Sequence, residues 1–158
     1  MTRKIIAAVS AAAVVASMGS ISAFAVDYPG GKQNTQITTA IDPTFTVSIP
    51  ADTTVAFNAE TTDFSEVKLV SAQIDPGKAV KVELDASGTL KNAKDDTKTI
   101  AYVVNEKEAG TQYVSGQYKA AGDATALKID ITKAAWDAAF AGSYSDTVTF
   151  TVSYVDAD

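Results

Sequence analysis

AGSYSDTVTFTVSYV, residues 141–155 of this 158-residue chain, decides the fold class. One set of alternate positions is mostly apolar or aromatic and comprises Tyr144, Asp146, Val148, Phe150, Val152 and Tyr154. The intervening set is hydroxylated throughout and comprises Ser145, Thr147, Thr149, Thr151 and Ser153. This period-two alternation of β-branched and aromatic residues predicts a half-buried antiparallel strand. Because only three residues follow it, we expect this strand, which begins after a turn at Gly142 and Ser143, to close the domain.

Shorter segments with the same alternation fill the chain upstream of this stretch. They predict strands at residues 36–41, 44–49, 53–58, 66–74, 79–84, 99–105, 111–115 and 124–131. Between the fourth and fifth of these, the sequence Asp75-Pro76-Gly77-Lys78 is a strong turn signal and predicts a hairpin. The apolar positions of the fourth change phase along its length, which indicates either a β-bulge or a strand that is apolar on both faces.

The segments between these strands are polar and are predicted to be loops at residues 59–65, 85–98, 106–110 and 116–123. Thr132 is positioned to cap a short helix that runs to Phe140, with Trp136 and Phe140 on one helix face. Strands do not alternate with helices, so we predict an all-β fold, an immunoglobulin-like antiparallel β-sandwich with one short helical turn before the last strand. The predicted core comprises Phe45, Val47, Ile49, Val67, Leu69, Val80, Val82, Ile100, Val104, Leu127, Ile129, Val148, Phe150 and Val152.

The start of the chain has the organisation of a cleaved secretory signal peptide. Arg3 and Lys4 form a basic start, an alanine-rich apolar run follows, and Ala23-Phe24-Ala25 matches the small-x-small cleavage motif. The expected divisions are a signal peptide at residues 1–25, a flexible leader at residues 26–35 and a β-sandwich domain at residues 36–158. We therefore expect a protein secreted to the extracellular space or cell surface of a bacterium, with no membrane insertion after cleavage.

The composition argues against several classes of chemistry. The chain contains no Cys and no His, which removes disulfides, thiolate metal sites, Cys nucleophiles and the commonest general base. A formal net charge of −6 argues against nucleic acid or an anionic membrane surface as a partner. Since no nucleotide-binding, metalloprotease or nucleophile-elbow motif occurs, we predict that the protein is not an enzyme and uses no cofactor. Asp95-Asp96 and the pair Asp156 and Asp158 lack the spacing of a calcium loop, and we interpret them as solvated.

Two sets of residues are candidates for binding. Tyr113, Tyr118 and Trp136 are candidate glycan contacts, because aromatic rings can stack on sugar rings. The competing interpretation of Trp136 is a lid that packs with Phe140 over one end of the sandwich.

The second set, Ile37, Thr39 and Ile41, alternates behind the polar leader and is a candidate assembly strand. Such a strand would pair with an unpaired sheet edge of another subunit. The alternative is that residues 36–41 form the first strand of their own sandwich, since consecutive strands usually lie in one domain.

The closing stretch also resembles the C-terminal strand of the spore coat protein U-type domain, which occurs in small secreted bacterial β-sandwich proteins of archaic fimbriae. The residues that match its pattern are Gly142, Tyr144, Asp146, Thr147, Val148, Phe150 and Val152. The resemblance implies a surface or fimbria-like structural or adhesive subunit, whose partners are other protein subunits or cell-surface components, including glycans. Two alternatives stay open: a small extracellular carbohydrate-binding module, and a secreted enzyme or inhibitor of unrecognised type.

Overall fold

The computed structural model of the protein describes residues 36–158, so the predicted signal peptide and leader lie outside the described residues. In this part of the chain the structure has ten strands and one short helix. The elements are β1 (Thr44–Ser48), β2 (Thr61–Gln73), β3 (Lys78–Asp85), β4 (Thr89–Asn92), β5 (Thr99–Ala101), β6 (Val103–Glu106), β7 (Ser115–Tyr118), β8 (Ala124–Asp130), α1 (Lys133–Asp137), β9 (Tyr144–Ser145) and β10 (Thr149–Asp156).

The strands form three antiparallel sheets. A four-stranded sheet has the order β1-β2-β8-β6, a second sheet has the order β10-β3-β7, and a small third sheet has the order β5-β4-β9. The core lies between the first two sheets, where Leu69 and Leu127 of one pack in the same cluster as Val80 and Val82 of the other. The prediction of an all-β antiparallel sandwich with one short helix before the last strand is confirmed.

The predicted core is also confirmed. Eight of the predicted residues are buried: Val47, Val67, Leu69, Val80, Val82, Ile100, Val104 and Leu127. The other six pack against them while keeping partial exposure: Phe45, Ile49, Ile129, Val148, Phe150 and Val152. The buried set also includes residues that the prediction left out, namely Phe64, Ala79, Tyr102, Tyr113, Tyr118 and Ile131.

The closing stretch alternates as predicted but is not one strand. Residues 144 and 145 form β9 in the third sheet, and the chain then passes into β10 of the second sheet. The irregular residues between them include Asp146, whose carboxylate accepts hydrogen bonds from Ser87 and Tyr102. A local pattern predicts which side chains point inward, but a change of sheet is decided by distant partners.

The hairpin predicted around Asp75-Pro76-Gly77-Lys78 is wrong, although the turn itself forms. The amide of Lys78 donates to the carbonyl oxygen of Asp75 at 3.1 Å, and Gly77 adopts a positive φ of 78°. However, β2 already has hydrogen-bonded neighbours on both sides, β1 and β8, and β3 has β10 and β7. The turn therefore carries the chain from one sheet to the other.

The phase change in β2 is explained by a β-bulge, one of the two predicted alternatives. Thr46 pairs with Ser71 and Val47 pairs with Leu69, so Val70 is an extra residue without an opposite partner. The side chain of Val70 is 51% exposed, whereas Leu69 is fully buried. The bulge moves the inward face from odd to even positions, so that Ala72 packs against the core.

Several predicted boundaries are also wrong. The segments at residues 36–41 and 53–58 are not strands, and β2 begins inside the predicted loop at residues 59–65. The polar segments at residues 85–98 and 116–123 contain β4 and the end of β7, because tertiary pairing overrides weak strand propensity there. Residues 111–114 contribute a single bridge, between Gln112 and Asn105, and strand β7 begins only at Ser115. The predicted strand at residues 99–105 is divided at Tyr102 between two sheets.

The helix is capped as predicted and is shorter than predicted. The side chain of Thr132 accepts a hydrogen bond from the amide of Ala135, and α1 ends at Asp137, before Phe140. Within residues 36–158 the structure contains no helix with the length and apolar character needed to cross a membrane.

Candidate functional site

The two end strands of the sandwich, β1 and β10, lie at neighbouring edges of opposite sheets. Strand β1 pairs only with β2 and β10 only with β3, so within residues 36–158 no strand lies along the outer side of either. The rings of Phe45 on β1 and Tyr154 on β10 stack with their centroids 6.0 Å apart. The sandwich is therefore open along the side between β1 and β10, which we call the open edge.

A cavity of about 420 Å³, the open-edge cavity, lies beside the open edge, where it is lined by the segment that follows β1 and by the residues that lead into β10. The apolar residues that line it include Ile49, Val55, Phe64, Val148 and Phe150. The rings of Phe64 and Phe150 approach across it, with centroids 6.3 Å apart. Most of the partly exposed members of the predicted core belong to β1, β10 or the residue next to them, so the core is least covered on this side.

The segment that precedes β1 carries the candidate assembly residues. Residues 36–43 have no regular secondary structure, which contradicts a first strand of the domain's own sandwich. Ile37 is 95% exposed and Ile41 is 64% exposed, and Thr39 between them is also exposed. Within residues 36–158, these two large apolar side chains are not among the residues that pack against the core, and a largely apolar cavity lies beside the open edge.

The polar end of the open-edge cavity is formed by Asp146 and Tyr102. The hydroxyl of Tyr102 donates to the Asp146 carboxylate at 2.6 Å, and the hydroxyl of Ser87 donates to the same oxygen at 2.7 Å. Burial favours the neutral form of Asp146, but these hydrogen bonds, together with one from the amide of Thr147, outweigh it and lower the pKa of the carboxyl group. Burial, followed by the hydrogen bond to Asp146, raises the pKa of Tyr102, so this hydroxyl stays a donor at neutral pH.

Tyr113 and Tyr118 are core residues. Each is 2% exposed, and their hydroxyl oxygens lie 3.2 Å apart. The hydroxyl of Tyr113 donates to the carbonyl oxygen of Val82 at 3.1 Å, and that of Tyr118 donates to Thr125 at 3.0 Å. Burial raises the pKa of Tyr113 well above its usual value. Both rings lack a free face for a sugar, so Trp136 alone among the predicted glycan contacts reaches the surface.

Trp136 lies at one end of the sandwich and is half-buried against the core. Its indole N–H donates to the carbonyl oxygen of Ala59 at 3.0 Å, and its ring meets that of Phe57 edge-on with centroids 5.7 Å apart. Phe57 is 79% exposed and Phe140 is 61% exposed. The sequence analysis placed Phe57 in a predicted strand at residues 53–58 and did not identify it as a candidate binding residue.

Three of the four acidic residues considered for calcium, Asp95, Asp156 and Asp158, are engaged in local contacts. Asp95 accepts hydrogen bonds from the hydroxyl and amide of Thr97, which lower its pKa. Asp156 forms a 2.7 Å ion pair with Lys78, and Asp158 accepts a hydrogen bond from Gln117. Within the part of the chain that the structure describes, no three or more carboxylate side chains are grouped as a metal site would require.

No protein-family model matches the chain. No curated protein matches it either. Four chains of solved structures are similar to it. One of these belongs to a chaperone–tip adhesin complex of CFA/I fimbriae biogenesis; it is 14% identical over 72% of the present chain, with a TM-score of 0.45. The match covers 42% of that chain, so the present protein spans less than half of its length.

Proposed function

We propose that the protein is a secreted, non-enzymatic subunit of a bacterial surface layer or fibre, and that its subunits associate by β-strand addition. In this proposal the segment with Ile37, Thr39 and Ile41 of one subunit lies along the open edge of the next. The observation that carries the proposal is the coexistence of an exposed alternating segment and an unpaired apolar edge in one domain.

The alternating segment of one subunit and the open edge of the next are complementary in the geometry of an added strand. Residues two apart in a strand point to the same face, so Ile37, Thr39 and Ile41 would all point into the cavity while Thr38 and Ala40 point to solvent. Unpaired N–H and C=O groups along β10 would supply main-chain hydrogen bonds, and the isoleucines would set the register. Full burial of each isoleucine would contribute roughly 1.5–3 kcal/mol, before the cost of ordering the segment.

The competing interpretation places residues 36–41 in their own sandwich. Against it stands the exposure of Ile37 and Ile41, which pack on neither sheet of their own chain. The absence of Cys and His from the whole sequence supports a non-enzymatic role, since it removes two of the commonest catalytic side chains.

The test compares two double variants of the secreted chain that carry the same added charge. Ile37→Asp with Ile41→Asp places two charges on the inward face, and Thr38→Asp with Ala40→Asp places two on the outward face. Light scattering after size exclusion, over a range of concentrations, should show association of the wild type and of the outward variant but only monomers of the inward variant. Circular dichroism should show all three folded, with equal melting temperatures at concentrations low enough for the wild type to be monomeric.

Two results would contradict the proposal. A wild-type chain that stays monomeric at every concentration has no strand addition. A folded wild type beside an unfolded variant that lacks residues 26–41 would show that the segment serves its own core instead.

A further inference from the structure

Four aromatic side chains surround a second cavity, at the end of the sandwich beside α1. They are Phe57, Trp136, Phe140 and Tyr144, and we call the cavity between them the aromatic cleft. Its volume is about 350 Å³, within the usual range for sites that hold a small molecule. Phe57 and Phe140 are the most exposed aromatic residues of the cleft, at 79% and 61%. Exposure of two phenyl rings on one surface is unfavourable in water unless a ligand covers them.

The cleft is held rigid by hydrogen bonds from its own aromatic residues. The indole N–H of Trp136 is anchored on the carbonyl oxygen of Ala59 at 3.0 Å. The hydroxyl of Tyr144 donates to the carbonyl oxygen of Phe140 at 2.9 Å and accepts from its amide at 3.1 Å. These contacts fix the backbone that carries Phe140, so a ligand would meet a preformed surface and lose little free energy in ordering it.

The rim of the aromatic cleft carries hydroxyl groups. An adjoining cavity of about 360 Å³ shares Phe57, Trp136 and Tyr144 and adds the hydroxyl groups of Thr53, Thr54 and Ser145. It is also lined by Asp146, whose carboxylate already accepts hydrogen bonds from Ser87 and Tyr102. The ammonium group of Lys98 lies over the ring of Phe140, 4.9 Å from its centroid. Aromatic faces beside neutral hydroxyl donors and acceptors are suited to a ligand that has both apolar C–H faces and hydroxyl groups.

The exposed area favours a small ligand over a protein partner. A phenyl side chain buries at most roughly 250 Å², so the two exposed rings together offer no more than about 350 Å². A standard protein–protein interface needs about 800 Å² on each side. The two exposed rings supply less than half of that area, and the cavity of about 350 Å³ beside them has room for one or two ring-sized groups.

We propose that the aromatic cleft binds a neutral saccharide. One sugar ring stacks on the faces of Phe57 and Phe140, and its hydroxyl groups bond to the side chains of Thr54 and Ser145. The aromatic cleft shares no lining residue with the open-edge cavity, although its hydroxyl rim adjoins that cavity at Thr53, Val55, Leu90 and Asp146. It would make the subunit adhesive as well as structural.

Trp136 is the single tryptophan of the chain, which provides a direct optical readout at the site. The secreted chain is first screened on an array of neutral oligosaccharides, and the bound oligosaccharide is then titrated while Trp136 emission is followed. Phe57→Ala and Phe140→Ala should each weaken binding about tenfold or more, since each removes a stacking face. Val114→Ala is the matched control, because Val114 is 62% exposed and lines neither part of the cleft. It should bind as the wild type does.

Several outcomes would overturn the proposal. One is a folded wild type that binds no oligosaccharide of the array. Another is a pair of cleft variants, folded by circular dichroism, that bind as tightly as the wild type. A third is self-association that is lost in Phe140→Ala without any sugar binding, which would assign the cleft to a second copy of the chain instead.

Discussion

Tyr102 and Asp146 are joined by a 2.6 Å hydrogen bond that links two points where the chain changes sheet. Tyr102 separates β5 from β6, and Asp146 lies between β9 and β10. Ser87, just before β4, donates to the same carboxylate oxygen at 2.7 Å. A single carboxylate thus fixes three connections that lead into or out of the third sheet, and it also forms the polar end of the open-edge cavity.

This contact predicts loss of stability in acid. The pKa of Asp146 is lowered in the folded protein, so the contact stabilises the fold above the unfolded pKa of about 3.9 and the stabilisation is lost as the pH falls through the folded pKa. The pKa values of Asp123 and Asp130 are lowered as well, with the same sign. Urea unfolding should therefore show lower stability at pH 3 than at pH 7.

Asp146→Asn tests how much of the stability, and of its loss in acid, depends on the Asp146 carboxylate. We expect about 1–2 kcal/mol less stability at pH 7, because a charged acceptor is lost. The decrease between pH 7 and pH 3 should be smaller in the variant than in the wild type. A wild type equally stable at both pH values would contradict the prediction.

The open edge predicts a reduced cost for truncating a core ring. Phe150 packs against the core but keeps partial exposure at the cavity, so Phe150→Ala should cost about 2–3 kcal/mol rather than the full 3–5 kcal/mol of a buried phenylalanine. Phe140→Ala is the control and should change stability by about 0.5 kcal/mol or less, because Phe140 is 61% exposed. If chemical denaturation showed equal losses of stability for Phe150→Ala and Phe140→Ala, the predicted difference in burial between the two rings would be wrong.

Position 116 is predicted to require glycine, because a larger side chain would crowd the side chain of Tyr118. A Cβ atom there would lie 2.9 Å from the hydroxyl oxygen of Tyr118 and 3.1 Å from its Cζ. The Tyr118 ring cannot easily retreat, since it is buried and its hydroxyl is bonded to Thr125. Gly116→Ala should therefore cost about 1–3 kcal/mol in urea unfolding.

A double-mutant cycle with Tyr118→Leu separates this crowding from backbone effects. The alanine should cost less once the Tyr118 hydroxyl is gone, so the two changes should be coupled. Additive losses would mean that the close approach has no energetic consequence.

Processing is predicted by the sequence alone. Cleavage after Ala25 of the Ala23-Phe24-Ala25 motif should give a secreted chain that starts at Val26. Intact-mass measurement of secreted material decides this, and Ala25→Lys is expected to block cleavage at that bond. Secreted protein whose mass retains residues 1–25 would rule out the signal peptide.

Predictions from the sequence were most successful where the deciding physics is local. Side chains alternate across a strand with a period of two, so the inward positions of β10 and of β8 follow from the pattern of apolar residues. The phase change in residues 66–74 was visible for the same reason, and the structure explains it by the extra residue Val70. Thr132 could be recognised as a helix cap because capping depends on neighbours three residues away.

Pairing between strands was not predictable in the same way. The turn at Gly77 forms in either arrangement, and only the neighbours available to β2 and β3 decide that the chain crosses between sheets instead of forming a hairpin. The exposure of the candidate binding residues also depends on tertiary structure and could not be predicted from the local pattern. Tyr118, predicted as a glycan contact in a loop, is found in the core, and Phe57, which was not among the candidate binding residues, is found at the surface.

The sequence by itself therefore determined the all-β class, the inward faces of the strands and most of the aliphatic residues that form the core. Only the tertiary structure decided which strands are neighbours, that β1 and β10 leave one side of the sandwich open, and which aromatic rings reach solvent. The physical reason is that the direction in which a side chain points is set by its own backbone. Its burial is set by the residues that pack against it, which are often far away in the chain.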